Sequence, residues 1–391
     1  MNEEIKISYD MIHAMETMET NRRFLPYAKG APSDQFTTDE QYDRANFVFF
    51  TDSHVDFCEA ESSADNLRRT MEYVNSAPVI FDAVIHTGDV ITPFGRIPKE
   101  DAISRIRPFL DLALESRSPL LFAKGNHDLN DWGNTPSEVI SDSDWSRIYL
   151  NQAEEKFGIV RQTKASGEKS TWHYLDIPAH KIRIVAVDVQ DTDKSSVNPK
   201  GNVKYYGGNS WYVSDEQMNW IASEALNFDD KAEADWGVIF AMHMLQDSSV
   251  HENAIEKLLR MCAAFNTQGI FEEKYNHPEN SFFDLDVKAD FTRYAQAEKK
   301  PHMICWLLGH NHHDLHEIRH GIHLIWTLNN SASTVCGDSS VVRIPGTSTQ
   351  NAFDIVNVDT RYRKIRMFRF GAGINCFGIG GDRFLPDGLS Y

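Results

Sequence analysis

Seven short apolar runs constrain this chain's fold more than any other feature: residues 47–50 (FVFF), 83–85 (AVI), 120–123 (LLFA), 182–189 (IRIVAVDV), 238–241 (VIFA), 304–308 (ICWLL) and 323–327 (HLIWT). They are rich in β-branched and aromatic residues and mostly apolar at successive positions, as strands buried on both faces are. Residues 64–75, 100–116, 144–157, 215–226 and 253–265 between them show helical spacing, and Ser214 followed by Asp215 and Glu216 makes a helix start. Alternation of strands and helices that passes into a strand-rich end predicts a layered α/β sandwich.

Five short motifs sit immediately after, or at the very end of, one of these runs: Asp52-Ser53-His54, Gly88-Asp89, Gly125-Asn126-His127-Asp128, His243 and Gly309-His310-Asn311-His312. In an α/β sheet the carboxyl ends of the strands form one rim, where ligands collect. Taken singly, each motif has an ordinary explanation: Asp52 as a turn residue, His54 as a cap, Gly125-Asn126 as a chain reversal, His243 as a hydrogen-bonded core residue. Taken in order, they bring imidazoles, carboxylates and an amide oxygen to one place. That donor set suits two adjacent divalent cations such as Mn, Fe or Zn better than Ca or Mg alone. Two bridged metals are a device for attacking phosphorus.

The motifs resemble those of the calcineurin-like metallophosphoesterase superfamily, whose signature is D-x-H, G-D, G-N-H-[D/E], H and G-H-x-H. Every position of it is filled here between about residues 47 and 330. The resemblance implies an αββα sandwich of two mixed β-sheets flanked by helices, with a metal site at the carboxyl ends of the strands. It implies that Asp52, His54 and His312 hold one metal, that Asn126, His243 and His310 hold the second, and that Asp89 bridges them. A hydroxide shared by two divalent or mixed-valence ions would attack phosphorus in line. His127 would be the catalytic, non-ligating histidine that protonates the leaving alkoxide, with Asp128 a candidate for the residue that orients it.

Departures from relatives narrow the branch. Thr92 stands where the phosphoprotein phosphatases carry an aspartate, which disfavours a protein phosphatase and leaves the partner of His127 open. Ile91 and Thr92 offer no phenol, and His54 is present, unlike the pattern of purple acid phosphatases. What remains resembles bacterial and phage phosphodiesterases. The expected function is therefore phosphoester hydrolysis, most readily of a small phosphodiester. Alternatives are a nuclease acting on DNA or RNA ends and a non-catalytic scaffold of the same fold.

Composition bears on partners and compartment. The formal net charge of -18 repels polyanions, so extended nucleic acid is an unfavourable partner while a small phosphoester is not. Arg363, Lys364, Arg366 and Arg369 form the densest basic group, and their alternation with Ile365 and Met367 predicts a solvent-facing strand. Five cysteines, odd in number and without a C-x-x-C pair, fit reduced thiols. No signal-peptide pattern and no membrane-length apolar run is visible, so a cytoplasmic protein is expected.

The chain divides into an extension (1–45), in which Met11, Met15 and Met18 suit one face of a short helix, a catalytic domain (46–370) and a Gly-rich tail (371–391). His313, His316, His320 and His323 are expected to face water or the cleft rim while Leu315, Ile318, Ile322 and Leu324 face the core, with His313 the one nearest substrate. His86 reads as a packed strand residue, and His251 and His277 as surface residues. Residues 201–212 (GNVKYYGGNSWY) read as a long loop edging the cleft.

Overall fold

Two sheets carry the architecture. The first has the order β15-β14-β13-β1-β2-β3, formed by β1 (Arg44–Phe50), β2 (Ala83–His86), β3 (Leu120–Phe122), β13 (Ala352–Asp359), β14 (Lys364–Gly371) and β15 (Leu389–Ser390). The second has the order β11-β12-β10-β7-β6-β5-β4, formed by β4 (Val160–Thr163), β5 (Lys169–Ile177), β6 (Ile182–Ala186), β7 (Gly237–Met242), β10 (His302–Leu308), β11 (Leu315–Arg319) and β12 (Ile322–Trp326). A separate hairpin pairs β8 (Ile270–Tyr275) with β9 (Leu285–Asp290). The computed structural model describes residues 44–57, 59–77, 80–93, 97–245, 254–298, 300–332, 341–373 and 389–391. Nearly all of the expected extension and most of the tail lie outside these residues, as do Met11, Met15, Met18, His251, Cys58, Cys336 and Cys376.

Each sheet holds a block of parallel strands: β1, β2 and the edge strand β3 in the first, β6, β7, β10 and β12 in the second. Antiparallel strands flank them, so both sheets are mixed. Parallel alignment puts the carboxyl ends of successive strands on one edge, and the helices make the return connections. These are α1 (Ala60–Ser76), α2 (Lys99–Glu115), α3 (Asp142–Trp145), which runs through a π-helical turn into α4 (Asn151–Phe157), then α5 (Asp215–Trp220) and α6 (Ala254–Asn266). Ser214 caps α5, its side chain accepting the Gln217 N–H, as the sequence predicts.

The unbroken hydrophobicity of the runs follows from burial on both faces. In β7, Ile239 and Ala241 enter the core between the sheets, with Val48, Phe50 and Leu307. Val238 and Phe240 point the other way, into a second core with Trp306, Met218, Leu258 and Phe265. Phe240 and Trp306, paired across β7 and β10, stack with centroids 5.4 Å apart. Among the described residues no helix is long and apolar enough to cross a membrane.

Two expectations are corrected. Strand β14 does not face solvent: Arg366 and Arg369 are buried, as are Ile365 and Met367. It pairs with β13 along its whole length and with β15 at Lys364 and Ile365, and Arg369 is neutralised by Asp314 (2.7 Å) and Asp354 (2.9 Å). In the β11–β12 hairpin, His323 is buried, its Nδ1 2.8 Å from His316 Nε2 and its Nε2 2.8 Å from the Ser390 carbonyl oxygen. Ile318, expected inside, is 59% exposed because β11 is the sheet edge.

Candidate functional site

The carboxyl ends of β1, β2, β3, β7 and β10 deliver the five motifs to one place. Asp52 and His54 follow β1, Asp89 follows β2, Asn126 and His127 follow β3, His243 follows β7, and His310 and His312 follow β10. Their loops are tied to one another through the backbone: the Asp52 N–H donates to the Gly88 oxygen (2.9 Å), the His54 N–H to the Asp89 oxygen (3.1 Å) and the Gly309 N–H to the His243 oxygen (2.9 Å). Gly88 is obligatory, with φ of +102° and a backbone approach that would put a Cβ 2.3 Å from the Gly125 nitrogen.

Five of these side chains stand on left-handed backbone, namely Asp52 (φ 52°), His54 (43°), Asp89 (57°), His310 (68°) and His312 (56°). Such residues cost of order 1–3 kcal/mol each and collect at functional sites, where surrounding structure holds them. The sharp turns aim the side chains inward immediately after each strand ends.

The donor atoms form two groups. Asp52, His54 and His312 bring one ligand atom apiece within 4.8 Å of one another, and so do Asp89, His243 and His310. In the first, His312 Nε2 lies 3.0 Å from Asp52 Oδ1 and 3.2 Å from His54 Nε2. In the second, His243 Nε2 lies 3.1 Å from Asp89 Oδ2, and Asn126 Oδ1 is 2.9 Å from both His243 Nε2 and His310 Nδ1. Asp89 Oδ2 is also 4.0 Å from His54 Nε2, which places this carboxylate between the groups. Buried imidazole nitrogens and carboxylate oxygens crowded this closely make a donor set suited to transition-metal cations.

Electrostatics reflects that crowding. Burial opposes ionisation of Asp89, yet His243, His127 and His54 hold its carboxyl well below the usual range. Asp52 is likewise held low against burial by His312 and His243. Burial drives His54 down to about 3 and His310 to about 4. His243, despite its burial, is pushed up to about 9 by Asp89 and Asp52.

A second layer holds the first. Thr92 Oγ bonds His54 Nδ1, and the Thr87 carbonyl oxygen lies 2.7 Å from His243 Nδ1. Asp52 Oδ2 accepts the Thr51 hydroxyl (2.7 Å) and the His310 N–H (2.9 Å). Asp128 spends its carboxylate on the backbone, taking the N–H groups of Asp89 (2.8 Å), Val90 (2.9 Å) and Gly125 (2.8 Å), and burial raises its pKa to about 7. It thereby ties the loop after β2 to the loop after β3. His86 is a packed strand residue as expected, against Phe50 and Phe109, and it also bonds Ser53 Oγ at 3.0 Å.

His127 lies beside the cluster, 11% exposed, with Nε2 4.0 Å from Asp89 Oδ2 and its backbone N–H donating to Asp89 Oδ1 at 2.8 Å. Burial lowers its pKa. Its ring stacks on Trp132. The 201–212 segment packs here: Tyr206 meets Trp132 edge-on, and the Gly207 N–H donates to the buried carboxylate of Asp131. Sequence reasoning missed Trp132, Asp131 and the Thr92–His54 bond. The Thr92 departure from relatives marked the right position but gave no sign of its partner. His313 is half-buried with Nδ1 on the Asn311 oxygen (2.6 Å), and His277 is half-buried rather than a plain surface residue.

A family model described as calcineurin-like phosphoesterase matches residues 45–314. A GPI ethanolamine phosphate transferase 2 from Candida glabrata is 26% identical over 191 residues, which are 44% of this chain and 22% of the relative. The chain thus matches about a fifth of that relative's length. Among solved structures, a phosphopantetheinyl hydrolase from Mycobacterium tuberculosis is similar with a TM-score of 0.34 at 14% identity, over 74% of this chain and 89% of that one. A 5'-nucleotidase from Candida albicans gives a TM-score of 0.35 at 14% identity, over 81% of this chain and 51% of that one.

Proposed function

Because the chain belongs to the calcineurin-like phosphoesterase family, we propose that it is a two-metal hydrolase acting on a small phosphodiester. One observation carries the reading: two groups of Asp and His donors, each within 4.8 Å, meet at the ends of strands from both sheets. In this reading Asp52, His54 and His312 hold one ion, Asn126, His243 and His310 the other, and Asp89 lies between them. Bound there, the ions would polarise the phosphoryl oxygens and lower the pKa of water to make a nucleophile.

The chain's own residues supply the rest. Asn126 contributes a neutral oxygen, so the pocket keeps enough positive charge for an anionic phosphate. With His54 ligating through Nε2, its proton sits on Nδ1 and is donated to the Thr92 hydroxyl, which holds the ring in place. His127 places Nε2 beside the cluster, where it protonates the departing alkoxide; a bound phosphate anion shifts its equilibrium back toward the imidazolium form. Asp128 acts by holding the loops after β2 and β3 together. A net charge of -18 favours a compact substrate over a polynucleotide.

The test is hydrolysis of bis-p-nitrophenyl phosphate beside p-nitrophenyl phosphate by the Mn-supplemented protein, with Asp89→Ala as the blank. Faster diester cleavage by the wild type supports the reading. A preference for the monoester would turn it into a phosphomonoesterase. Equal activity in the blank would remove it.

A further inference from the structure

We infer that Trp132 is the positioning residue for His127, holding the imidazole by its face where the resemblance left the partner of His127 open. The inference rests on the proposed acid role of His127. Thr92, at the position where phosphoprotein phosphatases carry an aspartate, is engaged with His54 instead. The torsion that turns a histidine ring is broad and roughly two-fold, so a ring that must present one nitrogen needs a neighbour to fix its plane. Trp132 supplies that plane: its ring lies 4.7 Å from the His127 ring at an interplanar angle of 20°. The indole is fixed in turn. Its Nε1–H donates to the Asn126 carbonyl oxygen at 3.0 Å, so the same side chain grips the residues on both sides of the 126–127 peptide bond.

A third layer closes around the indole. Tyr206 meets Trp132 edge-on, with centroids 5.6 Å apart. Two glycines make room for this packing. A Cβ on Gly207 would lie 2.0 Å from the Asn126 carbonyl oxygen, and one on Gly208 would lie 2.6 Å from Tyr206 and 2.8 Å from Trp132. The segment is anchored by Asp131, fully buried next to Trp132 in the chain, which accepts the Gly207 N–H at 3.0 Å and the Lys194 ammonium at 2.7 Å. Asp131 and the two glycines thus keep Tyr206 on the indole, and the indole on the imidazole.

The experiment is a double-mutant cycle on the Mn-loaded full chain, using Trp132→Ala, Trp132→Phe, His127→Ala and the Trp132→Ala/His127→Ala pair, with aryl phosphodiesters of graded leaving-group pKa. An ångström of misplacement costs on the order of a hundredfold, so Trp132→Ala should lose about that much in kcat for poor leaving groups. Activated nitrophenyl esters should lose far less, and KM and bound Mn should be unchanged. Trp132→Phe, which keeps a flat ring, should recover most of the loss. The paired variant should be no slower than His127→Ala alone, because both changes remove one function. Multiplicative losses, or losses equal for every leaving group, would overturn the inference while leaving the two-metal reading in place. A fully active His127→Ala variant would remove the acid role, and this inference with it.

Discussion

Thr92 and His54 are joined by a hydrogen bond between the threonine hydroxyl and the imidazole Nδ1, both groups buried behind the cluster. The bond engages Nδ1 and leaves Nε2 turned toward His312 and Asp52. Partners of this kind tune metal affinity without touching the metal.

Thr92→Val keeps the shape and removes the acceptor. We expect roughly a 10- to 100-fold weaker hold on the metal in the Asp52–His54–His312 group, with Thr92→Ser restoring it. Competitive metal titration against a chelating dye measures this. An unchanged affinity would mean that packing alone orients His54.

Asp89→Ala and Asn126→Ala should each lose metal and turnover together, since Asp89 lies between the groups and Asn126 Oδ1 sits 2.9 Å from two histidine nitrogens. Elemental analysis of the purified variants, run beside the activity assay, reads both. Full activity in either one would contradict the two-metal assignment.

His127→Ala should retain its metal and lose about 10²- to 10⁴-fold in kcat on alkyl leaving groups, the range typical of general acid catalysis, while p-nitrophenyl esters are spared. A plot of log kcat against leaving-group pKa should steepen in the variant. Parallel plots would argue against proton donation.

Arg369 is fully buried and bonded to Asp314 and Asp354, with Thr327 and the Ala372 carbonyl oxygen completing its shell. Removing it strands two buried carboxylates. Arg369→Met should therefore cost about 3–5 kcal/mol in urea unfolding followed by far-ultraviolet dichroism. A loss under 1 kcal/mol would show that water replaces the guanidinium.

Asp142 gives a prediction for acid. Burial would raise its pKa, but Lys124 and Lys164 lower it from 3.8 to about 2. A depressed carboxyl stabilises the fold above its unfolded value and loses that contribution as pH falls through its folded one. Wild type should thus exceed Asp142→Asn in stability by roughly 2 kcal/mol near neutrality, with the gap narrowing between about pH 4 and pH 2. Denaturant melts of both proteins at several pH values test this, and a constant gap would assign the effect to packing.

The sandwich and the cluster were legible in the sequence for one reason. The parallel strands are apolar on both faces, and β1, β2, β3, β7 and β10 end where the clustered motifs begin, so residues 47–50 and the Asp52-Ser53-His54 that follows announce strand and candidate site together. The five helical segments were legible through their spacing, with boundaries shifted by a few residues, as α1 begins at Ala60 rather than Ala64. Strands β4, β5, β8, β9, β13 and β14 fell outside the apolar runs, because antiparallel pairs mix polar and apolar positions. The error at β14 is instructive. Alternating Arg and apolar residues mark a half-exposed strand only when nothing covers the polar face, and Asp314 and Asp354, which cover Arg369, lie 55 and 15 positions before it in sequence. Trp132 left no trace for a similar reason: its partner His127 is close in sequence, but Tyr206 and Gly208, which secure it, arrive from a different loop.

The cluster draws Asp52, His54, Asp89 and Asn126 from the first sheet and His243, His310 and His312 from the second. The hydrophobic term is non-directional, so the phase of one sheet against the other is set by how the side chains of the two inner faces interdigitate. The side chains at the rim therefore act as a vernier between two rulers, in line only when the sheets are in phase. A core substitution at Ile239 or Leu307 that slips β7 or β10 along β1 by a fraction of a residue should blunt the chemistry before it lowers the melting temperature. For this molecule, the sharpest gauge of interior packing is the activity at its rim.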